Sequence, residues 1–305
     1  NYSPGTVIDM KLYTFDNGDG VQRVGVELTV FPALIRDVRD FGLPYRDMTD
    51  LIRRITPSEK ERLSDPEAAI EGAPLRLSAV RVCSPIPHPE QDIICLGVNY
   101  AAHADERAQF DRKAFLLDRK KATYFSKRAY QTSGTDDLIP AYPDIVTSLD
   151  YEAELAVIIG RDCKNVRERD AAACIFGYTV MNDVSARNLQ TEHNQWYFGK
   201  SLDGFTPLGP CIITEDEVPY PPELAISSTV NGETRQNSNT RYLLHSISEI
   251  IAELSQGMTL LAGTIIATGT PAGVGMGFNP PKFLKSGDIV TCEIEKIGKL
   301  TNMVK

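Results

Sequence analysis

In the run from Tyr151 to Ile159, the residues Tyr151, Ala153, Leu155, Val157 and Ile159 are all apolar, and the positions between them open with two glutamates. A strand turns successive side chains to opposite faces. The segment therefore reads as a strand with one apolar face and with Glu152, Glu154, Ala156 and Ile158 on the other. Shorter strand-like runs bounded by Gly, Pro and Asn turns recur beside it: Ile93 to Val98, Ile175 to Met181, Cys211 to Thr214, Ala225 to Val230, Thr264 to Thr268 and Ile289 to Ile294. Helical periodicity is strongest from Ile247 to Leu254, and a second helix is expected after Asp183. Strands outnumber helices, which predicts a β-rich α+β domain rather than regular βαβ alternation.

Ahead of that region lies a smaller module. Lys11 to Phe15 and Gly25 to Leu28 flank a turn of Asp16, Asn17, Gly18, Asp19 and Gly20, a hairpin signal. A polar, helix-prone stretch follows from Met48 to Ile70. Ser84-Pro85-Ile86-Pro87-His88-Pro89 then carries three prolines, which favour extended chain. The expected division is a small N-terminal α/β module over residues 1–85 and a larger domain over 86–305. Asn1 to Asp9 read as a short leader before Met10.

Composition narrows the class. At 42% hydrophobic and 24% charged the chain is ordinary for a globular protein, and 305 residues suffice for a core without disulfides. The six cysteines form no CxxC pair and several sit in apolar runs, as reduced buried cysteines do, so a cytoplasmic setting is expected. No apolar run approaches the ~20 residues needed to span a bilayer, and no secretory signal pattern opens the chain. With a net charge of −9 and no basic stripe, neither nucleic acid nor membrane is an expected partner. An anionic substrate would need local positive charge from a metal or from placed lysines and arginines.

Glu152 and Glu154 on one strand face would repel each other, and burial would worsen the repulsion; a divalent cation removes it. Read structurally, they are two solvated surface glutamates. Asp183, at the end of the run Ile175 to Met181, reads alone as a helix N-cap. Together the three offer a hard, all-oxygen site suited to Mg²⁺ or Mn²⁺. His103 and Glu106 are spaced to meet on a helix, where a carboxylate orients an imidazole and raises its basicity; a chance surface pair has the same spacing. Lys200, after Trp196-Tyr197-Phe198-Gly199, and Lys127, after Tyr124-Phe125-Ser126, are either snorkelling lysines or cations aimed at a substrate. Arg187 is suited to clamp a carboxylate. Thr268-Gly269-Thr270-Pro271-Ala272-Gly273-Val274-Gly275 lacks the signatures of a nucleotide loop. Its N–H groups and the Thr270 hydroxyl suit a small anion, or the segment is only a tight turn.

These segments together resemble the fumarylacetoacetate hydrolase family from about Ile93 to the C-terminus. The motifs fall in the family's order: Gly97-Val98-Asn99-Tyr100 with His103 and Glu106; Tyr151-Glu152-Ala153-Glu154-Leu155; Gly177-Tyr178 through Asp183, Ser185-Ala186-Arg187 and Gln190; Gly199-Lys200-Ser201; Val230-Asn231-Gly232-Glu233; and Thr268-Gly269-Thr270-Pro271 with Gly273-Val274-Gly275. The resemblance implies a mixed β-roll with helices outside, usually a homodimer, with the N-terminal module of the longer members. It implies Mg²⁺ or Mn²⁺ on Glu152, Glu154 and Asp183. His103 and Glu106 would activate water, Lys200 would stabilise an enolate, and Lys127, Arg187, Gln190 and Thr270 would contact a small 2-keto acid. The activity first expected is hydrolysis of a C–C bond in an acylpyruvate-type 2,4-diketo acid. The alternatives are isomerisation or decarboxylation of related dioates, including keto–enol isomerisation, and a non-catalytic ligand sensor.

Overall fold

The computed structural model describes residues 10–28, 31–102 and 121–305. Its backbone is an eleven-stranded sheet. From one edge the order is Leu75–Arg76, Leu34–Asp37, Arg23–Leu28, Met10–Asp16, Leu208–Thr214, Ile175–Asn182, Ala153–Ile159, Ile265–Ala267, Ile93–Leu96 and Tyr124–Lys127, with Arg81–Cys83 paired off this path to Met10–Asp16. A five-stranded sheet, in the order Glu233–Asn239, Ala225–Val230, Ile289–Ile294, Gly298–Val304 and Leu138–Ile139, accompanies it. Pairing is antiparallel except for Ile265–Ala267 on Ile93–Leu96 and Gly298–Val304 on Leu138–Ile139. This is the mixed, β-rich α+β architecture expected.

The strand Ala153–Ile159 is buried along its whole length. Its alternation divides the molecule. Leu155, Val157 and Ile159 join a core shared with Ile226, Val290 and Leu300 of the second sheet and with Ile247, Ile250, Ile251 and Leu254 of the helix Ile247–Ser255. Ala156 and Ile158 face the opposite core, shared with Met10, Leu12 and Val26 and with Leu51, Ile52 and Leu63 from the helices Met48–Arg54 and Pro57–Ser64. A period-2 strand covered on both faces explains why Glu152 and Glu154 point into protein rather than water.

The sheet runs without a break across the boundary expected at residue 85, because Met10–Asp16 pairs with Leu208–Thr214 through Lys11↔Ile213 and Leu12↔Ile212. The proline-rich segment is extended and held on both sides. The Thr14 hydroxyl donates to Pro85 O at 2.8 Å, and the Thr132 hydroxyl donates to Ile86 O at 2.7 Å. All six cysteines are free and buried. Among the described residues, no helix is long and apolar enough to cross a membrane.

Candidate metal centre

Register brings the acidic residues together. Ala153 pairs with Asn182 and Glu154 with Met181, so one step further along the ladder Glu152 meets Asp183, whose N–H donates to Glu152 O at 2.9 Å. Asp183 therefore directly follows the strand Ile175–Asn182 and is not a helix cap; Ala186 holds the cap position of the helix Arg187–Glu192. Glu152, Glu154 and Asp183 are buried, and one carboxylate oxygen from each lies within 4.8 Å of the others.

Cations interlock with this cluster. Lys200 Nζ donates to Glu152 Oε2 at 2.8 Å and to Asp183 Oδ2 at 2.6 Å. Lys127 Nζ donates to Asp183 Oδ1 at 2.7 Å and to Val184 O at 3.0 Å. Arg187 Nη2 pairs with Glu152 Oε1 at 2.7 Å. Lys200 reaches the interior because its short helix, Tyr197–Lys200, packs tightly on Arg187–Glu192. A Cβ at Gly199 would lie 2.5 Å from Gln190 N and 2.8 Å from Ala186 O, a distance only glycine permits. Neither lysine snorkels; Lys127 is fully buried and Lys200 is 2% exposed.

Glu154 stands apart. Its Oε2 accepts from Gly269 N–H at 2.8 Å, but its buried Oε1 has no partner among the described residues. Burial pushes its carboxyl well above the usual carboxylate range, and Asp183 and Glu152 add to the rise. Burial pulls Lys127 down, only partly offset by Asp183. For Lys200 burial acts the same way but is outweighed by Asp183 and Glu152, and its ammonium sits above the ordinary lysine value. Four buried carboxyls, Asp150 included, face three cations, so with all four ionised one negative charge has no matching cation. An orphaned carboxylate oxygen in an all-oxygen cluster fits a hard divalent cation. The lysine contacts do not preclude one, since each carboxylate oxygen has two lone pairs.

Other expected site residues are placed as follows. Arg187 Nη1 donates to Gln190 Oε1 at 3.0 Å, and its Nε to Asp150 Oδ2 at 2.8 Å. The carboxylates it clamps are thus the protein's own. The Thr270 hydroxyl donates to Ala153 O and accepts from Gln236 Nε2. The glycine-rich loop does receive anions, again internal ones: Gly269 N–H binds Glu154, and Gly275 and Met276 N–H bind Asp150. His103 and Glu106 lie outside the described residues. Two residues of the network were not anticipated. Asp150 continues the same period-2 face as Glu152 and Glu154, a signal that was present in the pattern. Gln236 lies in the polar strand Glu233–Asn239, where no apolar alternation marks it.

The chain belongs to the fumarylacetoacetate hydrolase family: residues 92–305 match the family model described as fumarylacetoacetate (FAA) hydrolase C-terminal. It is 43% identical over 228 residues to oxaloacetate tautomerase YisK of Bacillus subtilis (strain 168), covering 75% of this chain and 74% of that protein. Over 310 residues it is 37% identical to the mitochondrial oxaloacetate tautomerase fahd2 of Xenopus laevis, covering 100% of this chain and 93% of the relative. The structure is also similar to that of maleylpyruvate hydrolase from Sphingobium sp. SYK-6 in complex with manganese(II) ion and pyruvate. That match has a TM-score of 0.74 at 32% identity and covers 97% of this chain and 98% of the other.

Proposed function

We propose that the protein is a divalent-metal-dependent tautomerase that interconverts the keto and enol forms of a small 2-keto dicarboxylic acid of the oxaloacetate type. The observation that carries the metal dependence is the buried triad Glu152, Glu154 and Asp183 with the orphaned Glu154 Oε1. The choice of tautomerisation over C–C cleavage is supported by the likeness to the two oxaloacetate tautomerases.

Glu152, Glu154 and Asp183 would hold Mg²⁺ or Mn²⁺, which would supply a Lewis acid for the substrate's keto oxygen. Its two charges would turn the cluster's single excess negative charge into a single excess positive one, which suits an anion entering from an acidic surface. Each lysine ammonium has three donors, of which two are spent on protein. The third on Lys200 would serve the enolate oxygen and the third on Lys127 a substrate carboxylate. Arg187 and Thr270, with their polar atoms turned to protein groups, orient the site rather than grip the substrate. His103 and Glu106, on the family resemblance, would activate water, which hydrolysis requires.

A second reading is hydrolysis of an acylpyruvate-type substrate. Retention of the His103–Glu106 pair and the likeness to maleylpyruvate hydrolase favour it. The test is a side-by-side assay: decay of enol-oxaloacetate absorbance, release of pyruvate from oxaloacetate, and release of pyruvate from acetylpyruvate. Enol decay is expected to be accelerated most, to stop on chelation and to return with Mn²⁺ or Mg²⁺. Faster cleavage of acetylpyruvate would instead select the hydrolase. No turnover of either compound by metal-loaded protein would leave the ligand-sensor reading.

A further inference from the structure

We infer that Asp150 is the positioning residue that ties the glycine-rich loop to the metal ligand Glu152, so that the loop and the metal centre move as one unit. The inference rests on the metal reading above. Asp150 is fully buried and carries no ligand role of its own. Four N–H donors surround its two oxygens. Oδ1 accepts from Tyr151 N at 2.9 Å and Gly275 N at 2.6 Å; Oδ2 accepts from Arg187 Nε at 2.8 Å and Met276 N at 3.0 Å. Arg187 passes the connection on, its Nη2 pairing with Glu152 Oε1 at 2.7 Å. The backbone holds the same partners in place, since Ser185 pairs with Asp150 and Ala186 with Leu149 in a short ladder that delivers Arg187 beside Asp150.

Only an ionised carboxylate satisfies this cage. An asparagine has one acceptor oxygen and one amino group that only donates. In either flip the amino group would face two N–H donors: those of Tyr151 and Gly275, or those of Arg187 and Met276. Arg187 would lose the anion that holds its Nε, and with it the fixed direction from which it pairs with Glu152. Outer partners that orient metal ligands typically change metal affinity by about 10- to 100-fold when altered. The cage can also be strained from the loop side. A Cβ on Gly275 would fall 2.6 Å from Asp150 Oδ1 and 2.5 Å from Lys282 O, so alanine there must displace one or both.

The test is equilibrium binding of Mn²⁺ alone to the full chain, read by electron paramagnetic resonance of the free ion and by calorimetry, with melting temperature measured on the same samples. Asp150→Asn is expected to weaken Mn²⁺ binding by about 10- to 100-fold and Gly275→Ala to weaken it in the same direction. Leu51→Ala, a cavity beneath the N-terminal helices in the core that Ala156 and Ile158 face, touches no residue of the cage or the triad, controls for general destabilisation and is expected to bind Mn²⁺ as the wild type does. If Asp150→Asn does not fold, Gly275→Ala decides. Wild-type protein that binds no Mn²⁺ would remove the metal reading itself. Wild-type binding with unchanged affinity in Asp150→Asn and Gly275→Ala would overturn the positioning role alone. So would a loss no greater than that of Leu51→Ala.

Discussion

Replacing Gln236 with leucine should damage stability and metal affinity together, although Gln236 is not among the metal ligands. Its amide is saturated: Nε2 donates to the Thr270 hydroxyl at 2.7 Å and to Pro271 O at 2.8 Å, while Oε1 accepts from Ala153 N at 3.0 Å and from the Ser228 hydroxyl at 2.8 Å. The two hydroxyls can rotate to other partners. Ala153 N–H and Pro271 O cannot, and each buried orphan costs about 1–3 kcal/mol, so the pair costs about 2–6 kcal/mol. Spread over a chain of 305 residues, that corresponds to a fall in melting temperature of roughly 3–10 °C. Ala153 sits between Glu152 and Glu154, so a freed backbone there loosens two ligands at once. Differential scanning calorimetry with Mn²⁺ titration of the same variant measures both effects. A variant that melts within about 1 °C of wild type and holds Mn²⁺ equally well would refute the view that Gln236 braces the site.

Two further outcomes are expected. His103→Ala should reduce acetylpyruvate cleavage far more than oxaloacetate tautomerisation, because only cleavage requires an activated water; equal losses would count against water activation by His103. Ser246→Ala should remove the capping box at the start of Ile247–Ser255, where the Ser246 hydroxyl accepts from Glu249 N and Glu249 Oε2 accepts from Ser246 N. That change should cost about 1 kcal/mol of stability with turnover unaltered; a matching loss of activity would show that this helix reaches the site.

The local parts of this architecture were legible in the chain. Alternation from Tyr151 to Ile159 identified the central strand, and the apolar spacing from Ile247 identified its covering helix. What the pattern could not supply was register. Asp183 meets Glu152 only because Glu154 pairs with Met181, a long-range choice set by packing on both faces of the sheet. The N-terminal hairpin is present as its pattern predicts, but nothing in its composition shows that Met10–Asp16 also pairs with Leu208–Thr214. The family resemblance named Arg187 and Thr270 as substrate contacts from residue type and position. Their inward hydrogen bonds depend on Asp150, Ala153 and Gln236, which come from other elements. Gln236 itself lies among Glu233, Thr234, Arg235, Asn237 and Ser238, where polarity hides a buried residue in a strand that otherwise resembles a solvated edge.

The most direct measurement is Mn²⁺ binding to wild-type protein and to Glu154→Gln. Glutamine can keep the acceptor for Gly269 N–H and places a neutral amide where Oε1 now lacks a partner. Wild type should bind one ion per chain. Glu154→Gln should fold about as well as metal-free wild type, where burial already favours the neutral carboxyl, and should lose about 100-fold in affinity. Unchanged Mn²⁺ affinity in a properly folded Glu154→Gln would contradict the metal centre and the chemistry built on it.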